Sequence, residues 1–398
     1  MISVEEARAR ILGGLRCTGA ETLGLAQGWR RVLAEPVKAR LSQPPAAVSA
    51  MDGYALRAVD GRQGAVLQVI GSAPAGHPFA GEVGPGEAVR LFTGSFMPSG
   101  ADTVLLQEDA VALEGSITMS EACAPGRHIR KAGQDFKLGD VLIPAGKRLS
   151  ARDIGLAAAA NHPWVQVYRR PRIAVLSTGD EISLPGEGIG PGGIVSSNAH
   201  ALAAFISASG GEPVVLPIAR DDLASIAEGA DAARGADMLL TTGGASVGEH
   251  DLVQSGLGAR GLVLDFWKIA MRPGKPLIFG RLGDLPMLGL PGNPVSAFVC
   301  ALLFLRPAIE RMSGLPGDAP LCEPASLGGA LKPNDQREDY VRASLAAGAE
   351  GWVATPFPVQ DSGMLRNLAR ADALIRRVPH DRARDVGEAV EIIRLQDL

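Results

Sequence analysis

The stretch "LGLPGNPVSAFVCALL" (288–303) sets two prolines, two glycines and an asparagine between two apolar runs. The stiffest and loosest residues of the chain meet where a strand gives way to a helix. Asn293 suits an N-cap and Pro294 the first helical position, so the stretch reads as a tight strand-to-helix corner. The N–H groups behind such a corner also favour an oxyanion such as phosphate. Around this corner, from 171 to 311, apolar runs alternate with helical patterns. "RIAVLSTGDEI" reads as a buried strand, "SNAHALAAFISASGG" as a helix closed by glycine, and "EPVVLPIARDD" as a strand. "DLASIAEGADAARG" is a helix, "ADMLLTTGG", "PLIFG" and "LPMLGL" are strands, and a long helix runs through "PVSAFVCALLFLRPAIERM". That alternation predicts a doubly wound, mostly parallel sheet covered on both faces.

The 398 residues exceed one ordinary core and predict two to four domains. Residues 1–42 read as helical, opening on an amphipathic helix with Ser3 as N-cap and Glu6 in the capping-box position. Residues 43–141 turn to short apolar runs punctuated by Gly and Pro, which predicts a β-rich domain. Residues 142–170 return to helix, with Ser150 as N-cap and Asp153 in the first turn. Packing of this helix on the N-terminal one would make 1–42 and 142–170 a discontinuous helical domain around the β-rich insert. Residues 312–398 read as a small β domain. The expected class is a multidomain α/β protein with the doubly wound domain at 171–311.

The net charge of −4, and the lack of a Lys/Arg run with interleaved aromatics, argue against nucleic acid as partner. The four cysteines form no CxxC pair, so neither zinc nor a disulfide framework is expected. The N-terminus carries early acids and no apolar core of a secretion signal. "AFVCALLFL", the most apolar stretch, is too short to cross a bilayer. These features predict a soluble, cytoplasmic protein with no membrane partner.

In a doubly wound sheet, ligands bind beyond the carboxyl ends of the strands. Those ends are "STGDE" (177–181), "ARDD" (219–222), "TTGGASVGEHD" (241–251) and "LPGNPVS" (290–296), each glycine-rich or acidic. Gly243 and Gly244 let backbone N–H groups approach a ligand. "FWKIAMRPGKPLIFG" adds Lys268, Arg272 and Lys275, while Glu181, Asp221 or Asp222, and Asp251 supply carboxylates. Cations mixed with acids suggest a phosphate ester with Mg2+ held through oxygen. A solvated rim of ion pairs is the plain alternative for any one of these residues. No GxGxxG directly joins a strand to a helix ("GIGPGG", 188–193, does not follow a strand), and no GxxxxGK[ST] is present, against a dinucleotide fold or a P-loop. "SAMDGYAL" (49–56), "RLFTGSFMPSGADTVLLQED" (90–109) and "IRKAGQDFKLGD" (129–140) place Asp52, Thr93, Arg130 and Asp135 in turns. By physics alone they read as ordinary Asx and Gly turns between strands.

Taken together, "SAMDGYA", "TGSFMPSGADTVLLQED", "STGDEI", "TTGGASVGEHD", "RPGKPL" and "LPGNPVSAF" resemble, in this order, the molybdopterin molybdenumtransferases of the MoeA type. That family is related to the E domain of gephyrin, and the resemblance runs from about residue 3 to the C-terminus. It implies four domains, with 171–311 the molybdopterin-binding domain, in an elongated homodimer. It implies a reaction of adenylyl-molybdopterin with molybdate that gives molybdenum cofactor and AMP, with Mg2+. It also implies a pterin site in a cleft between domains of both protomers, with Asp52 and Asp135 at its acidic rim. Candidate protein partners are the molybdopterin adenylyltransferase and molybdoenzyme chaperones.

Carried over by position, Asp52, Asp135, Glu181 and Asp251 match the catalytic residues, with Glu181, Asp221 and Asp251 as metal ligands. Thr93, Arg130, Asp221, Lys268, Lys275, Pro291 and Pro294 are matched as substrate-binding, and Gly243, Gly244, Ser246 and Asn293, from the glycine turn and the corner, are counted with them. Arg342 in "DYVRASL" and Ser362 in "QDSGML" extend that set into the C-terminal region. Arg272 joins it as a departure, because many members have lysine there, and a flat guanidinium grips oxyanions differently. Molybdate is an anion, so Lys, Arg and backbone N–H groups rather than carboxylates should hold it. Two other functions stay open: a non-catalytic molybdopterin-binding scaffold, and a nucleotide hydrolase of the CinA type sharing the binding domain.

Overall fold

A computed structural model describes residues 1–74, 76–243, 252–258, 260–349 and 351–395. The chain divides into two compact units, one of Met1–Glu21, Arg30–Ala34 and Val167–Leu398, the other of Thr22–Trp29 and Glu35–Gln166.

The first unit is built on a six-stranded sheet. In spatial order its strands are Glu212–Val215, Arg172–Ser177, Met238–Thr242, Leu285–Leu290, Ile278–Leu282 and Leu262–Trp267. The first four are parallel, and the last two run antiparallel to their neighbours. The central strands read as unbroken apolar runs because both faces are covered. Val175, Leu240 and Leu288 face one core with Leu202, Phe205 and Val299. Ala174, Leu176, Leu239 and Met287 face the other, with Ile226, Ala230 and Leu257.

The corner at 291–294 leads into Pro294–Cys300, a π turn at Ala301–Leu305, and Arg306–Met312. Residues 299–305 are all buried, as an all-round apolar helix must be. The π turn lies just upstream of Pro307, which has no N–H to give and whose ring would crowd the carbonyl four residues back.

The same unit carries a C-terminal barrel. Glu338–Gly348, Gly351–Pro356, Glu323–Leu327, Ala389–Arg394 and Ala373–Arg377 pair in that order, and the last closes on the first. Its lumen is filled largely by small residues, Ala325, Ala343, Ala354 and Ala373, around Leu327, Ile375 and Ile392.

The second unit holds another six-stranded sheet, ordered Thr103–Leu106, Gly53–Leu56, Glu87–Leu91, Val66–Ala73, Ser116–Met119, Ala110–Leu113. Helix Ala151–Ala159 opens with the expected cap and a reciprocal bond: Ser150 Oγ accepts from Asp153 N, and Asp153 Oδ2 accepts from Ser150 N at 2.8 Å.

The helical expectation for 1–42 needs correction. Only Val4–Gly13 is a regular α-helix; strand Ala20–Gly24, a 3-10 turn at Leu25–Gln27 and strand Val37–Lys38 follow. Gly13-Gly14, Gly19, Gly24, Gly28 and Pro36 break the helical pattern too often for it to continue. Ser3 caps the helix as expected, accepting from Glu6 N at 3.0 Å, but the Glu6 carboxylate turns to Arg10. Val4, Ala7 and Ile11 are buried in the α/β core. This helix therefore belongs to the first unit and Ala151–Ala159 to the second, not to one shared helical domain. No described helix is long and apolar enough to cross a membrane.

Candidate functional site

A cleft of about 590 Å³ opens above the carboxyl ends of the parallel strands. Ser177, Thr178 and Glu181 line it from one strand end, and Thr242 and Gly243 from the next. Pro291, Gly292, Asn293 and Pro294 line it from the corner, with Ile182, Ile194 to Asn198 and Pro276 completing the wall. Of the residues read from sequence, Glu181, Gly243, Pro291, Asn293 and Pro294 therefore share one cavity. Gly243 has φ 92°, and a Cβ there would lie 2.5 Å from the Thr178 carbonyl oxygen, so only glycine fits. The Gly243 Cα in turn comes 3.6 Å from where a Cβ on Gly292 would sit, so the two glycine turns abut.

The corner differs from its sequence reading in one respect. Asn293 occupies the N-cap position but makes no side-chain cap bond. Its amide donates instead to Ser362 Oγ at 3.0 Å, and the Val295 N–H donates to the Ser362 carbonyl at 3.1 Å. A loop of the C-terminal barrel thus satisfies a donor that was expected to face an oxyanion. Arg342, 1% exposed, stands behind that loop. Its guanidinium donates to the Asp361 carbonyl at 3.3 Å and its backbone N–H to Gln360, so it positions Ser362.

Acids gather at one side. Asp221 N donates to Asp180 Oδ1 at 3.1 Å, which sets Asp221 beside the turn that carries Glu181. Asp222 is spent as an N-cap on Ser225 N. Mg2+ is commonly held by one or two carboxylates plus substrate phosphates. Glu181 and Asp221 lie on adjoining turns, joined through Asp180, and only Glu181 of the two lines the cleft. Among the described residues no group of three or more His, Cys, Asp or Glu closes on a cation. Gly244, Ser246 and Asp251, also expected here, lie outside the described residues.

The cations are split. Lys268 N donates to Leu277 O and Ile269 N to Lys275 O, so Lys268 and Lys275 stand on facing limbs of one turn. Lys268 Nζ lies 3.8 Å over the Trp267 ring. Arg272 turns away into the barrel, pairing with Asp339 and, at 3.5 Å, with Asp335. Its fork is committed to carboxylates rather than left for an oxyanion. Gly274, next in the "RPGKP" turn, has φ 113° and would drive a Cβ to 2.5 Å from Cys300 Sγ.

In the second unit, Asp52 Oδ1 accepts from Thr93 N at 2.6 Å and Thr93 Oγ1 at 2.8 Å. These bonds, the backbone one first, hold the Asp52 carboxyl below its ordinary range. Arg130 pairs opposite Val48, and Ala50 N donates to His128 O, which brings the 128–130 segment beside the loop carrying Asp52. Asp135 is exposed on a turn held by Gln43, whose carbonyl accepts its N–H at 3.0 Å. Sequence reasoning missed Arg90. It donates to Gly53 O and Gln107 Oε1 and stacks near Tyr54 and Phe92, each about 5 Å away. It also missed Asn198, the first residue of its helix; an Asn opening a helix was the available signal.

A mostly parallel α/β sheet whose strand ends open on a cleft of glycine turns, hydroxyls, Asn198 and the Glu181 carboxylate defines a doubly wound ligand-binding domain. Residues 2–161 match the MoeA N-terminal region (domain I and II), 174–311 a probable molybdopterin binding domain, and 324–395 the MoeA C-terminal region (domain IV). The molybdopterin molybdenumtransferase of Nostoc sp. is 36% identical over 86% of this chain and 81% of its own length. Molybdopterin molybdenumtransferase 2 of Mycobacterium tuberculosis is 34% identical over 96% of both. A crystal structure of a molybdopterin biosynthesis MoeA protein from Pyrococcus horikoshii superposes with a TM-score of 0.87 at 30% identity, covering 99% of each chain. The chain belongs to the molybdopterin molybdenumtransferase family, transferases of molybdenum cofactor biosynthesis.

Proposed function

We propose that this chain inserts molybdenum by taking adenylyl-molybdopterin and molybdate to molybdenum cofactor and AMP, acting as a cytoplasmic homodimer. The observation that carries the reading is the cleft in which Glu181, Gly243, Pro291, Asn293 and Pro294 meet above the strand ends. In this reading Glu181 and Asp221, with Asp251, hold Mg2+ through oxygen. Bound there, Mg2+ would neutralise charge on the substrate pyrophosphate. Gly243 lets the backbone approach the phosphates, and Gly244 and Ser246 are assigned to the same binding turn. Lys268 and Lys275 hold oxyanions, molybdate among them, because carboxylates repel it. Pro291 and Pro294 keep the corner rigid, and Arg342 holds the Ser362 loop against it. In the second unit, Thr93 fixes the Asp52 carboxylate in place, Asp52 and Asp135 serve as catalytic carboxylates, and Thr93 and Arg130 contact the substrate. The adenylyltransferase that makes the substrate and the chaperones that take the product are the protein partners of this reading.

The test is AMP release from adenylyl-molybdopterin with and without molybdate. Glu181→Gln and Asp52→Ala should each lower molybdate-dependent release about 100-fold while the protein stays folded. Full release by either variant would sink the assignment. A scaffold would bind the pterin and release no AMP, and a nucleotide hydrolase would ignore molybdate. Light scattering should give twice the 41.2 kDa chain mass; a monomer would remove the homodimer from the reading.

A further inference from the structure

Asn198 sits at the start of helix Asn198–Ala208, in the wall of the cleft, and its side chain is half-buried. Its Nδ2 donates to Thr242 Oγ1 at 2.9 Å and to the Gly292 carbonyl at 2.7 Å. A carbonyl oxygen can only accept, so the Gly292 contact fixes which end of the amide is nitrogen. Both amide hydrogens are then spent. The two groups they hold belong to the two abutting glycine turns, one beside Gly243 and the other at Gly292 itself. Oδ1 is the remaining polar atom, and among the described residues it has no partner. The amide is therefore locked in one orientation in the cleft wall, with an acceptor that no described residue takes up.

From this juxtaposition we infer that Asn198 is a specificity-determining residue of the cleft. Its Nδ2 clamps the Thr242–Gly243 turn to the Pro291–Gly292 corner, and the Oδ1 so fixed accepts a hydrogen bond from an N–H donor of the bound pterin. A pterin ring carries such donors on its amino group and ring nitrogen. Molybdate at neutral pH carries none, so the two substrates must respond differently. The inference rests on the proposed function, because it names the contact that the same site makes with its organic substrate.

The experiment is steady-state AMP release by the full-length chain, with adenylyl-molybdopterin and molybdate varied in turn. Asn198→Ala removes two clamp bonds and one ligand bond, and should raise the KM for the pterin substrate about 10- to 100-fold. The KM for molybdate and kcat should stay within about threefold. Asn198→Asp guards against a folding artefact. An acid in the first turn suits the helix N-terminus and offsets part of the lost clamp, so the variant should still fold, as circular dichroism would show. Its carboxylate cannot donate to Gly292 and should raise the pterin KM about 10-fold or more. A pterin KM unmoved in either folded variant, or a molybdate KM that rises in parallel, overturns the inference. Wild-type protein that releases no AMP overturns the functional reading, and the inference falls with it. An active wild type with unmoved variants overturns only the inference.

Discussion

Asp52 shows how a turn residue acquires a defined charge state. Two donors from Thr93 converge on one carboxylate oxygen, and that lowers the carboxyl from its ordinary 3.8. A folded-state value below the unfolded one means that the stabilisation is present above the unfolded value. It is lost as pH falls through the lowered one. Thr93→Val deletes the hydroxyl and keeps the backbone donor, so the Asp52 titration should move up toward 3.8 without reaching it. Carboxyl NMR read against pH tests this, and an unmoved midpoint would show that the hydroxyl contributes nothing. Residue types and spacing made Asp52 and Thr93 visible in the sequence. That they are partners was not visible, because 41 residues separate them.

Helix Ala151–Ala159 shows an element whose cap, Ser150, was readable and whose reciprocal bond to Asp153 the structure added. Ser150 and Asp153 have the spacing of a capping box, and both reciprocal bonds form. Burial alone would raise the Asp153 carboxyl, but Lys147 at 2.6 Å and the Ser150 hydroxyl and N–H bring it down to about 2. The linked stability is therefore full above about pH 4 and fades as pH falls toward 2. Asp153→Asn should cost roughly 1–2 kcal/mol at pH 7 and flatten stability between those values. Denaturant unfolding at a series of pH values measures both; an unchanged slope in the variant would refute the linkage. The capping at 293–295 went the other way. Asn293 has the right type and place, yet the Ser362 loop takes its amide and the next N–H. A cap is local, so sequence anticipates it until a distant segment offers better partners.

At the level of the whole chain, two compact units predict unfolding that is not a single two-state step. Gly53 isolates one of them. A Cβ there would meet the Leu105 carbonyl oxygen at 1.9 Å, because Gly53–Leu56 is flanked on both sides by paired strands. Gly53→Ala should cost the second unit ~3 kcal/mol through overpacking. Calorimetry should show one transition lowered while that of the first unit holds. A single transition shifted as a whole would contradict independent units. The glycine of "MDGYA" is thus accounted for by a strand crossing that no local pattern announces.

The sequence by itself determined the parallel core of the sheet, the glycine turns at its strand ends, the two helix caps at Ser3 and Ser150, and the family. Apolar periodicity, turn chemistry and motif order are local properties, and they survive without knowledge of contacts. Only the tertiary structure decided which of these residues face one another. It sent Arg272 to Asp339, gave the corner's amide to Ser362, moved the N-terminal helix onto the α/β core, and made Asn198 a clamp between two glycine turns. Each of these rests on pairing between segments distant along the chain. Hydrogen-bond donors and charges go to the partner that burial brings closest, and burial is set by the packed whole.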